Sequence, residues 1–228
     1  MVHLVVGLTK IEGVDPPYNH NYLLGSAVYN KINSISEEAA KVLHDSPFRT
    51  AYVLSEIYRV PDRPNESWFR IGTGDSRVVS LFEKALAPGV PISVGKTSFI
   101  VHTVRKDTPI VVPGEYVTLS PILLRNKETN QSIVYDSGDY CNILQNASNL
   151  QVSKYLKKKG SVRILHFEPI AVRKRTIERR TVLAQKGRFI MDGPVDELRM
   201  LVDYGIGLSP GLAFGMIVPT ESGGYTDE

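Results

Sequence analysis

AYVLSEIYRVPDRPNESWFRIG, residues 51–72, holds two runs rich in β-branched and aromatic residues, Ala51–Val60 and Ser67–Gly72, on either side of Pro61-Asp62-Arg63-Pro64-Asn65. Proline, aspartate and asparagine favour turns for separate steric and hydrogen-bonding reasons, so the stretch reads as a β-hairpin. Toward the N-terminus, Ser36 to about His44 reads as a helix with Glu37 and Glu38 in its first turn, and Pro47 ends that unit. Before it, Asn21–Ile35 repeats Leu24, Ala27, Val28 and Ile32 at helical spacing, and Leu4–Leu8 is an apolar strand. Toward the C-terminus come a helix, Ser76–Leu86, burying Val78, Val79, Leu81, Phe82, Ala85 and Leu86, and a strand, Ser98–Arg105. The order is β-α-β-β-α-β, the ferredoxin-like (RRM-like) pattern.

After a turn at Pro109–Gly114 the same order recurs. Tyr116–Leu124 with Ser132–Tyr135 reads as a hairpin, followed by a helix from about Asp139 to Lys158 and strands Val162–Arg173 and Thr181–Met191. A helix over Val195–Tyr204 and a last strand, Ala213–Val218, complete the set. The expected fold class is therefore α+β, two tandem ferredoxin-like domains spanning residues 1–112 and 113–228, with a glycine-rich loop before the final strand.

Hydrophobic residues make up 42% of the 228, and no apolar run approaches the ~20 residues of a membrane span. The first residues read as a β-strand rather than a signal peptide, and the single cysteine, Cys141, excludes an internal disulfide or a cysteine-rich zinc site. Both point to the cytoplasm, with no membrane partner.

The net charge of +3 hides a strong local bias: residues 154–188 hold twelve Lys or Arg against two acids, Glu168 and Glu178. Arg173, Lys174, Arg175, Arg179, Arg180, Lys186 and Arg188 fall on one predicted hairpin, a basic finger suited to nucleic-acid phosphates; a solvated charged hairpin is the plainer alternative. Residues 205–218, GIGLSPGLAFGMIV, contain Gly205, Gly207, Gly211 and Gly215. Glycines this dense let backbone amides approach a phosphate, or simply make a tight turn. The segment follows a helix and enters a strand, the reverse of the Rossmann and P-loop arrangement, so neither a nucleotide cofactor nor any other is expected.

Taken together, Pro17-Tyr18-Asn19-His20-Asn21-Tyr22, Val28-Tyr29-Asn30, Leu43-His44-Asp45, Thr118-Leu119-Ser120-Pro121-Ile122 and the glycine-rich segment resemble the CRISPR-associated repeat endoribonucleases of the RAMP superfamily. The match runs in order through both halves. It implies tandem ferredoxin-like domains and metal-independent cleavage of precursor CRISPR RNA within its repeats, by attack of the RNA's own 2′-hydroxyl. It also implies His44, Tyr29 and Arg49 as catalytic residues in the first domain, and CRISPR repeat RNA as partner. Relatives further imply an effector complex of other CRISPR-associated proteins and, in some cases, a homodimer. The chain departs from the pattern at Ala213, where the family often has glycine, at Leu208-Ser209-Pro210, where a polar or basic residue is common, and at Arg49, where relatives place lysine at a slightly different spacing.

Other histidines receive plainer readings. His20 caps or anchors the first helix or contacts substrate, while His3, His102 and His166 lie in predicted strands as packing residues. Two other functions fit the same fold: a non-catalytic RAMP-fold subunit that holds CRISPR RNA without cutting it, and a metabolic enzyme on a ferredoxin-like scaffold. The basic finger and the missing nucleotide motif weigh against the metabolic enzyme; convergence of His44 and Tyr29 on one pocket would separate nuclease from passive subunit.

Overall fold

The structure is a computed structural model and describes residues 2–17, 19–45, 52–126, 128–135, 139–177 and 180–220. In the first half, β1 (His3–Glu12) pairs with both β4 (Arg63–Gly72) and β6 (Thr97–Asp107), all antiparallel. Alternate residues of β1, namely Leu4, Val6 and Leu8, are fully buried, as the two-residue period of a strand requires. They meet helix α1 (Asn21–Ile35), whose Leu24, Ala27, Val28 and Ile32 form its buried face, and α3 (Ser76–Ala85), which buries Val78, Val79, Phe82 and Ala85. Asp75 caps α3 by accepting the Arg77 backbone N–H at 2.9 Å. Between them, α2 (Glu37–Asp45) starts where the sequence indicated: the Ser36 hydroxyl accepts the Ala39 N–H at 3.1 Å, and Glu37 and Glu38 face the positive end of the helix.

The predicted strand Ala51–Val60 is instead two short ones, β2 (Val53–Leu54) and β3 (Tyr58–Val60), both paired to β4. The break at Ser55–Ile57 has a cause in the second half of the chain, because the Glu56 N–H bonds the Leu119 carbonyl at 3.1 Å instead of continuing the ladder. Pro61 and Asp62 alone make the turn; Asp62 takes the left-handed conformation at φ 59°, and Arg63, Pro64 and Asn65 already belong to β4. An unforeseen strand, β5 (Pro91–Val94), hairpins onto β6 through Gly95 and completes a six-stranded sheet of order β2-β4-β1-β6-β5, with β3 beside β4.

The second half repeats this plan with β7 (Gly114–Thr118), α4 (Tyr140–Leu156), β10 (Arg163–Ile177), β11 (Arg180–Asp192), α5 (Val195–Tyr204), a 3₁₀ turn (Pro210–Leu212) and β12 (Ile217–Pro219). Its sheet order is β10-β11-β7-β12. In chain order within each half, the core strands therefore lie second, third, first, fourth, and tandem ferredoxin-like units account for both sheets. The expected hairpin of Tyr116–Leu124 with Ser132–Tyr135 is corrected: β7 stops at Thr118 and pairs with β11 and β12, and only β8 (Leu124–Arg125) and β9 (Ser132–Ile133) form a small separate sheet. The final strand begins at Ile217 rather than Ala213, whose φ of 59° is incompatible with a strand.

Each half has its own apolar core, and a smaller cluster seals the seam between them. In it Val53 packs with Val117, Leu119, Met216 and Val218, while Leu123, Val182, Ala184 and Phe214 form a second small patch within the second half. Each large side chain so buried contributes about 1.5–3 kcal/mol. Among the described residues no helix is long and apolar enough to cross a membrane.

Candidate functional site

Helix α1 lies directly on the glycine-rich loop. A Cβ on Gly25 would come 2.7 Å from the Gly211 carbonyl oxygen, so the missing side chain is what allows helix and loop to touch. One turn earlier on the helix, the buried Asn21 donates from Nδ2 to the Ala213 carbonyl at 2.5 Å. Tyr52 closes the other side of the loop, its ring 3.4 Å from where a Gly211 side chain would begin. Burial, with Tyr29 nearby as a lesser cause, pushes the Tyr52 hydroxyl up to about 12, so that residue stays protonated. Tyr29 is half-buried on α1 and packs against the first-half core, to which α1 contributes Val28 and Ile32 and α2 contributes Ala40 and Leu43. His44 follows Leu43 in the last turn of α2, and the structure describes it by that helix position. Arg49 and Arg179 lie outside the described residues.

Three of the four expected glycine contacts are corrected. The amides of Gly205, Gly207 and Gly215 are spent inside the protein, on the Leu201 carbonyl at 2.8 Å, the Gln151 side chain at 3.2 Å and the Pro121 carbonyl at 2.9 Å. All three have positive φ, of 78°, 89° and 74°, and a Cβ on Gly215 would collide with the Ile206 carbonyl oxygen. They shape the loop, leaving Gly211 at its half-buried turn beside α1.

The basic finger is also only partly a surface. Strand alternation turns Arg175 and Lys186 inward, and they are 1% and 5% exposed at the seam of the two halves. Arg175 pairs with Glu56, itself 7% exposed, and Lys186 approaches the same carboxylate at 3.5 Å. Lys186 also donates to the Tyr58 hydroxyl at 3.2 Å and lies 5.3 Å over its ring; that hydroxyl donates to the Leu119 carbonyl at 2.7 Å, and Tyr58 stacks on Trp68 at 4.8 Å. Nearer the tip, the Thr176 N–H bonds the Asn19 side chain at 3.0 Å. Arg175 and Lys186 thus clamp the hairpin onto the first half and are not available to a phosphate. Lys174, Arg180 and Arg188 are exposed, and Arg173 is half-buried.

His20 belongs to this seam. The Ile57 N–H donates to its Nε2 at 2.9 Å, which requires that nitrogen to be unprotonated, and Nδ1 then donates to the Pro17 carbonyl at 3.1 Å. Burial holds its pKa below the ordinary imidazole value, and Arg175 pushes the same way against Glu56 and the Pro17 carbonyl. The anchoring reading of His20 fits this geometry. A cavity of about 340 Å³ opens beside it, lined by Lys10, Asp15, Arg59, Glu56 and Arg175 among others. Sequence reading missed Gly25, Tyr52 and Glu56. A glycine inside an otherwise helical pattern, and one acid in the apolar run AYVLSEIYRV, were the available signals.

Three comparisons bear on this arrangement. The family model described as CRISPR associated protein Cas6, C-terminal, matches residues 106–219. CRISPR-associated endoribonuclease Cas6 1 of Methanocaldococcus jannaschii is 27% identical over 229 residues, covering 90% of this chain and 87% of that protein. Among solved structures, one described as CRISPR associated protein Cas6 superposes with a TM-score of 0.79 at 20% identity over 96% of this chain and 99% of the other. A RAMP protein described as binding different RNA substrates gives 0.74 at 21% identity, again over 96% and 99%. At these identities the superpositions speak for the fold. With half of its length, including the clamped hairpin and the glycine-rich loop, matched by the family model, the chain belongs to the Cas6 family of CRISPR-associated proteins.

Proposed function

We propose that the protein is a cytoplasmic, metal-independent endoribonuclease that cleaves precursor CRISPR RNA within its repeats. The observation that carries this reading is the docking of α1 on the glycine-rich loop in a chain of the Cas6 family: Gly25 and Asn21 fix the helix that bears Tyr29 against the turn at Gly211. Tyr29 lies seven residues before Ser36 and His44 eight after it, about 10 and 12 Å along their helices. Both helices share one buried core, and the two positions stand at similar distances from the α1–α2 junction.

RNA carries its own nucleophile, so the enzyme needs to remove a proton from the 2′-hydroxyl, align it with the scissile phosphate, protonate the leaving 5′-oxygen and steady the developing charge. His44 acts as general base or acid, since imidazole exchanges protons near neutral pH. Tyr29 orients the reacting groups or assists proton transfer, and Arg49 stabilises the phosphorane-like transition state through its guanidinium. The products are a 2′,3′-cyclic phosphate and a 5′-hydroxyl. These residues belong to a first domain of residues 1–112; Arg173, Lys174, Arg180, Arg188 and the turn at Gly211, in a second domain of 113–228, hold the RNA.

Single-turnover cleavage of labelled repeat RNA in EDTA, beside the same RNA with one 2′-deoxy nucleotide at the cut, tests this. Cutting of the all-ribose strand alone, leaving a cyclic phosphate, is expected. Tight binding with neither strand cut would overturn the nuclease reading in favour of a passive RNA-binding subunit.

A further inference from the structure

We propose that the cleft between the β8–β9 hairpin and the outer end of β11 is a two-arginine clamp for backbone phosphates of the bound RNA. The cleft measures about 620 Å³, and the charged groups among its described residues are Arg125 and Arg180, accompanied by Asn130, Gln131, Ser132 and Thr181. Among the described residues no acid lines it; Glu128, in the adjoining turn, is not among its walls. Among the described residues, Arg59, Arg63, Arg70, Arg77, Arg163 and Arg175 each have a carboxylate partner; Arg125 and Arg180, like Arg105, Arg188 and Arg199, have none, but only Arg125 and Arg180 share one cleft. Two guanidinium groups facing one cleft repel each other until an anion arrives, and their fork geometry suits phosphate oxygens.

The clamp is built before the ligand binds. The Asn126 side-chain oxygen accepts the N–H groups of Glu128 and Thr129 at 2.8 and 3.0 Å, and the Asn126 backbone N–H donates to the Gln131 carbonyl at 2.9 Å, which braces the base of the turn. The Ser132 hydroxyl accepts the Leu183 N–H at 3.0 Å and ties the hairpin to β11. Arg125 rests one nitrogen 3.4 Å from the Asn130 side-chain oxygen, which orients it without neutralising it, and its buried Nε has no hydrogen-bond partner. The cleft also adjoins the glycine-rich loop: Val182 in its wall packs on Phe214 and Leu123, and the Leu208 N–H bonds the Leu123 carbonyl at 2.9 Å. An RNA strand lying along the loop therefore runs into the clamp. The inference rests on the substrate being RNA.

The test measures binding of repeat RNA, blocked at the cut by a 2′-deoxy nucleotide, across a salt series, for wild type, Arg125→Gln, Arg180→Gln, the double variant and, as a control, Arg199→Gln on α5. Each cleft variant should lower the slope of log K against log salt by roughly 0.7–0.9, and the double variant should bind about tenfold or more weakly near 0.1 M salt. The Arg199 control should keep wild-type affinity. A methylphosphonate at the clamped linkage should weaken wild type but cost the double variant nothing further. Wild-type slopes in the double variant, or weaker binding with an unchanged slope, would overturn the clamp. Melting curves identify a misfolded variant, and Arg180→Gln, at an exposed strand end, carries the test alone should Arg125→Gln melt early. If wild type neither binds nor cuts repeat RNA, the nuclease reading falls and the clamp with it; if it cuts and the variants match it, only the clamp falls.

Discussion

Gly25 shows how one absent side chain positions a site. Alanine there would gain about 1 kcal/mol of helix propensity, yet its Cβ would press on backbone, the Gly211 carbonyl 2.7 Å away, which cannot rotate aside as a side chain could. Gly25→Ala should therefore cost about 1–2 kcal/mol in denaturant unfolding and slow cleavage at saturating RNA by tenfold or more, since the loop shifts relative to Tyr29. A variant as fast and as stable as wild type would show that the loop has slack. At His44 the expectation separates binding from chemistry: His44→Ala should reduce single-turnover cleavage by about 10²–10⁴-fold, the range of a lost general acid or base, while repeat affinity stays within about twofold. Unchanged cutting would remove His44 from the mechanism. Ala213 takes the left-handed conformation, at φ 59°, a backbone state that favours glycine over a residue with a side chain.

The β10–β11 hairpin is the element on which the sequence was most eloquent and least complete. Its charge was legible by counting; the direction each charge faces was not, because that depends on Glu56, which lies 119 residues from Arg175. Alternation along a strand separates Arg173 and Arg175 from Lys174, but only tertiary pairing says which face is covered. The same long-range contacts broke the predicted strand Ala51–Val60 in two, while helices such as α5, governed by local periodicity and an acidic first turn, matched their expected limits. Glu56→Gln should be severe: it leaves two cations at the seam without their carboxylate, for which about 3–5 kcal/mol is typical. Amide exchange should then rise along residues 171–177 and 182–186 well before the rest of β11. Uniform loss of protection instead would show that the hairpin is held by its apolar contacts rather than by the ion cluster.

At the scale of the whole molecule, the two halves are joined by buried groups that acid can disturb. His3, at the start of β1, lies 3.5 Å from Asp203 at the end of α5, and burial, as the largest cause, holds its pKa below 6.5. His20, between the Pro17 carbonyl and the Ile57 amide, is lowered for the same first reason. Both are neutral in the folded protein near pH 7, and each takes up its proton more readily when the chain unfolds. The unfolded state therefore binds more protons below about 6.5, and stability falls as pH drops through that window, by up to about 1.4 kcal/mol per pH unit for each histidine. Above about 7.5 neither contributes an appreciable slope. Since one histidine is buried between β1 and α5 and the other braces the break at Ser55–Ile57 next to the Glu56 cluster, acid should loosen the seam before either core. Melting temperature against pH should decline below about 6.5 for wild type, and more shallowly for His20→Gln and His3→Gln, which have no proton to gain there. Identical slopes in all three proteins would place the acid sensitivity in carboxylates elsewhere.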